Sequence, residues 1–100
     1  MINLREKDRA RVCQIAQQTL CSGSELWAYG SRVKGTNRPY SDLDLALITP
    51  ENGQNDIAEF KHALQHSNIP IFVQVMPWEL IPESFKDNIL QRYEVLCTVA

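Results

Sequence analysis

Between Asp42 and Leu47 the sequence reads DLDLAL, with an acid or leucine alternating at a period of two. Only a β-strand turns that pattern into two chemically distinct faces. Asp42 and Asp44 then point one way, while Leu43, Leu45 and Leu47 point the other, into a core. The two aspartates would have Cα atoms roughly 6.5–7 Å apart along the strand. Like charges on one face disfavour each other's ionisation unless something positive lies between them. A divalent cation resolves the conflict, and Mg²⁺ in particular takes one or two carboxylates and completes its shell with water and phosphate oxygens. Taken alone, the pair fits equally well a strand whose charges discourage edge-to-edge pairing.

A second feature lies upstream. The run ELWAY, from Glu25 to Tyr29, is aromatic-rich and short, and it stops at Gly30-Ser31. Glycine at a strand end permits a tight turn and close approach to a ligand, and successive N–H groups there can hold an anion. If residues 31–36 start a helical turn, its dipole also favours phosphate. Without a second feature, the same residues describe a turn capped by serine. GSRVKGT carries two glycines with four residues between them, but Thr36 stands where a Walker A loop needs lysine, so it is not a P-loop.

The rest of the chain fits around these strands. Residues 4–20 have Val12, Ile15, Ala16 and Leu20 at helical spacing, with Arg5, Lys7, Asp8, Arg9 and Arg11 opposite. A second strand covers 43–48, and Thr49-Pro50-Glu51-Asn52-Gly53 is a turn. Residues 56–66 return to helical spacing through Ile57, Phe60 and Leu64. IPIFVQVM, residues 69–76, predicts a third strand. After Pro82 a final helix begins near Glu83, with Phe85, Ile89, Leu90 and Tyr93 inward. The tail VLCTVA fits either an edge strand or a frayed end. The order α-β-β-α-β-α predicts one α+β domain over residues 1–100, a small mixed sheet of about three strands with helices packed against it.

Composition narrows the function classes. A formal charge of −2 over 100 residues argues against a surface built for nucleic acid. Cys13, Cys21 and Cys97 form no CxxC pair, which argues against a zinc site or a disulfide framework and for a reducing compartment. The charged N-terminus and the lack of a long apolar run give no membrane span, and a cytoplasmic location is expected.

Together, LWAYGS, the spacer RVKGTNRPYS and DLDLAL resemble the signature of the DNA polymerase β-like nucleotidyltransferase superfamily. With WELIPESFKDNI, the wording is similar to that of the minimal nucleotidyltransferases, the antitoxin side of toxin–antitoxin pairs with HEPN-domain proteins. The resemblance covers about residues 25–93. It implies a nucleotidyltransferase fold, with Gly30, Ser31 and Arg32 holding the triphosphate of ATP and Asp42 and Asp44 binding Mg²⁺ as the catalytic pair. Lys34 and Arg38 would add positive charge. The implied reaction is in-line attack on the α-phosphate, with AMP passing to a HEPN-domain partner and pyrophosphate leaving.

One position departs from that pattern. The superfamily supplies a third carboxylate from the strand after the intervening helix, and Gln74 stands there. An amide is neutral, cannot act as a base and is a weak ligand. Loss of a positioned general base costs about 10²–10⁴-fold in rate. Gln74 therefore opens a second reading, a non-catalytic module that neutralises its partner by forming a complex. A transferase acting on a small molecule such as an antibiotic would need more chain to shape its acceptor site. An open sheet face also allows association with a further copy or a partner. His62 and His66 are four apart on a helix but lack a third ligand, which favours a solvated face. Trp27 and Tyr29 are expected in the core, and Trp78 as a structural cap.

Overall fold

The computed structural model describes residues 2–100 and contains helices α1 (Glu6–Thr19), α2 (Ser31–Lys34), α3 (Ile57–Gln65) and α4 (Glu83–Gln91). Strands β1 (Glu25–Tyr29), β2 (Leu43–Ile48), β3 (Val73–Pro77) and β4 (Glu94–Thr98) form one sheet in the order β3-β2-β1-β4. β1 runs antiparallel to both β2 and β4, whereas β2 and β3 are parallel. A parallel pair needs a crossover, and α3 supplies it. The fold is thus α+β with a mixed sheet, and the sheet has four strands where three were expected. The additional strand is the tail: β4 pairs with β1 from Glu25↔Thr98 to Ala28↔Glu94, with an irregularity between Leu26 and Trp27. Beyond it, Val99 N–H donates to Ser24 O at 2.8 Å.

The alternation of DLDLAL is realised as expected. Leu43, Leu45 and Leu47 are buried beneath α1 and α3, where they meet Val12, Ile15, Ala16, Phe60 and Leu64. α1 turns its apolar stripe to this layer, and α3 starts at Asp56, whose carboxylate accepts from Glu59 N–H at 3.1 Å. The opposite face carries a smaller, aromatic core of Tyr29, Ala46, Ile81 and Ile89, closed by α4. Within it, Trp27 stacks on Tyr93 at 4.3 Å and meets Trp78 edge-on at 5.4 Å. Trp78 is therefore part of this core, in the 3₁₀ turn Trp78–Leu80.

One boundary and one burial differ from the sequence expectation. β3 begins at Val73, four residues later than expected. Pro70 offers no N–H to a ladder, and Ile69 and Ile71 pack against the main core from an irregular approach. Leu90, expected to face inward, is half exposed, because α4 covers the sheet through Ile89 alone among its fully buried residues.

Candidate active site

β1 ends where the chain must pass beside a carboxylate. Gly30 has φ 80° and ψ −154°, a backbone region that residues with a β-carbon rarely adopt. A Cβ at this position would lie 2.5 Å from Asp44 Oδ2, so any other residue would both strain the backbone and displace that carboxylate. The close approach follows from strand register. Tyr29 is the antiparallel partner of Asp44, and Gln74 is its parallel partner. Tyr29, Asp44 and Gln74 thus form a row across three adjacent strands, and Gly30 is the next residue along β1.

From Gly30 the chain enters α2 directly. Gly30 O accepts from Val33 N–H at 3.1 Å and from Lys34 N–H at 3.0 Å, and no side chain caps the helix start. The N–H groups of the first turn are therefore free of side-chain acceptors. Ser31 opens this turn and is partly exposed.

Asp42 precedes β2 and is exposed, while Asp44 is half-buried. Burial raises the carboxyl pKa of Asp44 above its ordinary value, and the charge of Asp42 raises it further. The Tyr29 phenol is also raised, first by burial and then by the Asp44 charge. Among the described residues, neither aspartate pairs with a lysine or arginine. Asp44 lies against the bare Cα of Gly30 and feels the charge of Asp42, and two carboxylates with no protein cation paired to them form a donor set that fits a small hard cation. No group of three His, Cys, Asp or Glu side chains placed to hold a metal occurs among the described residues. Any further ligands at the pair would come from water or a bound anion.

Gly30, Asp44 and Gln74 line a cavity of about 270 Å³ beneath α4. Tyr29, Met76, Phe85 and Ile89 supply its apolar wall, and Lys34, Asn88 and Arg92 its polar rim. Gln74 is exposed to this space and so needs no buried hydrogen-bond partner. Asn88 and Arg92 were not anticipated as site residues. Their signal lies in the spacing of 85, 88, 89 and 92, which puts both on the helix face that carries Phe85 and Ile89.

Arg32 occupies a different place from the one expected. It is buried, at 5% exposure, and its guanidinium donates to the carbonyls of Asn3, Pro39 and Ser41 at 2.7–3.1 Å. It lines a separate cavity with Arg5, Asp8 and Tyr40, whereas the basic residues that line the cavity with Gly30 and Asp44 are Lys34 and Arg92. Arg38 is exposed in the loop before Asp42, with its N–H bonded to Ser41 Oγ at 2.8 Å. The rings of His62 and His66 lie 4.1 Å apart on the exposed face of α3. No helix of the described residues is long and apolar enough to cross a membrane.

Comparison with known proteins identifies the family and the fold. The family model described as polymerase beta, nucleotidyltransferase matches residues 16–99. A Haemophilus influenzae protein named probable protein adenylyltransferase MntA is 36% identical over 97 residues, spanning 95% of this chain and 83% of that protein. A crystal structure of a toxin–antitoxin with AMP-PNP contains a chain of the same fold. It superposes with a TM-score of 0.71 at 16% identity, over 91% of this chain and 73% of that one.

Proposed function

Because the chain belongs to the polymerase beta nucleotidyltransferase family, we propose that it transfers AMP from ATP to a hydroxyl of a partner protein. The observation that carries this reading is the seating of Asp44 against the bare Cα of Gly30, at the start of an uncapped helical turn. That contact sets one carboxylate of the pair beside the turn, with Gly30 and Asp44 lining the same cavity. The relative named as a protein adenylyltransferase supports a protein acceptor, and the toxin–antitoxin structure supports a toxin–antitoxin setting. The sequence resemblance narrows the partner to a HEPN-domain protein.

The residues divide the work by their chemistry. Gly30 and Ser31 present N–H and hydroxyl donors to the triphosphate, whose charge Lys34 and Arg92 offset from the rim. Asp42 and Asp44 would hold Mg²⁺, which draws charge from the phosphate oxygens as it develops. The acceptor oxygen bonds to the α-phosphorus as the bond from that phosphorus to the bridging oxygen breaks, and pyrophosphate leaves with the electron pair. Nothing beside Asp44 acts as a fixed base, because Gln74 is an amide. The hydroxyl proton therefore leaves to solvent or to a group on the acceptor.

That same amide supports a second reading, in which the chain keeps the nucleotide site but neutralises its partner by binding alone. One experiment separates the two. ATP labelled at the α-phosphate is mixed with Mg²⁺, this protein and its co-expressed partner, and label in protein is followed. Mg²⁺-dependent transfer by the wild type supports the enzyme. A tight complex without label, with transfer gained in Gln74→Asp, supports the binding module. Absence of both transfer and complex would remove the proposed function.

A further inference from the structure

The ten residues between Ser31 and Asp42 form the loop that separates the phosphate-binding turn from the carboxylate pair. Such a loop would ordinarily be the loosest part of a site, because most of it is exposed and only the four-residue helix α2 is regular within it. Here one buried side chain closes it. Arg32 Nε and Nη2 both donate to Ser41 O, at 3.1 and 2.9 Å, and Nη2 also donates to Pro39 O at 3.0 Å. Ser41 is the residue immediately before Asp42. Nη1 reaches Asn3 O at 2.7 Å, and Asn3 N–H returns a bond to Arg32 O at 2.8 Å.

We infer that Arg32 is a positioning residue, which fixes Asp42 and Asp44 relative to Gly30-Ser31 by clamping the end of the intervening loop to its beginning. The inference rests on the reading of the site given above. The planar fork suits the task because its donors reach carbonyls in different directions within one plane. A lysine ammonium carries the same charge on a single nitrogen and cannot span them. All of the acceptors are backbone carbonyls, so what the charge secures is the path of the chain. Ser41 reinforces that path locally: its Oγ accepts from Arg38 N–H at 2.8 Å, and its N–H donates to Arg38 O at 3.0 Å.

The test is Mg²⁺-dependent ATP binding by equilibrium dialysis, with Mg²⁺ titrated at fixed ATP, alongside thermal unfolding. Arg32→Lys should need at least about tenfold more Mg²⁺ for half-maximal binding, because a fork contact is lost that charge alone cannot replace. Arg5→Gln is the control for general loosening. Arg5 lines the same cavity and binds Asp8 at 2.7 Å, and its side chain makes no hydrogen bond to residues 38–41. It should lower the Tm while leaving the Mg²⁺ dependence alone. If Arg32→Lys does not fold, Ser41→Ala decides, since it relaxes the loop while Arg32 stays in place, and it should shift the Mg²⁺ requirement in the same direction. An Arg32→Lys protein that folds and binds like wild type overturns the clamp alone. So does a shift matched by Arg5→Gln, or, where Arg32→Lys fails to fold, an unchanged Ser41→Ala. A wild type with no Mg²⁺-dependent ATP binding overturns both the clamp and the site reading.

Discussion

Asp44 of β2 and Gln74 of β3 are register partners across the parallel strand pair, and both face the cavity beneath α4. A side chain at position 74 therefore stands beside the more buried aspartate, with room around it. Replacing Gln74 with Asp is expected to add a carboxylate to the pair and to raise α-phosphoryl transfer by about 10²–10⁴-fold, the usual worth of a positioned general base. Labelled ATP measures it. Without Mg²⁺ the same substitution should lower the Tm, because a third negative charge is then uncompensated.

Asp44 makes the metal-free protein sensitive to pH. Burial and Asp42 raise its folded pKa above the value of 3.8 taken for the unfolded chain. Between those two values the folded protein holds a proton that the unfolded chain has lost. Stability therefore falls as pH rises through that interval. Asp44→Asn removes the burden, so at neutral pH and without metal the variant should melt higher. Mg²⁺ with ATP should raise the Tm of wild type but not of Asp44→Asn, which calorimetry with and without ligand distinguishes.

Gly30→Ala places a methyl group against Asp44 Oδ2 at a positive φ. The backbone strain alone is of order 1–3 kcal/mol, and the carboxylate must move to relieve the contact. Both the Tm and Mg²⁺-dependent ATP binding should fall. Retention of full ATP affinity in a folded Gly30→Ala protein would contradict the seating described for this pair.

Lys34 and Arg92 lie on the exposed rim, so the expected effects are small. Removal of either should weaken ATP binding roughly 2–5-fold, the range of an exposed ion pair, and the loss should shrink at high salt. Asp56→Ala is the remote counterpart: loss of the α3 cap is expected to cost about 1 kcal/mol of stability with ATP binding unchanged.

The parts of the molecule legible in the sequence are those where one local rule decides the outcome. β1 and β2 have the bounds read from ELWAY and from the alternation of LDLALI, because period two and a terminal Gly30 leave little choice. β4 was left open because Glu94–Thr98 is short and irregularly paired, with Leu96 and Cys97 both buried, so no clean alternation shows. For Arg32 the sequence does not decide, because an arginine after Gly-Ser suits phosphate and backbone carbonyls equally well. Only the folded loop brings Ser41 O within reach. Asn88 and Arg92 reach the cavity through the docking of α4, which depends on the aromatic core rather than on any motif.

The row of Tyr29, Asp44 and Gln74 spans three strands whose opposite faces are locked into the main core by leucine and valine neighbours. Scaffold and chemistry are thereby written on alternate letters of the same strands. Position 74 can exchange amide for carboxylate while Val73 and Val75 keep their places. The chemistry at position 74 is thereby separable from the architecture that carries it.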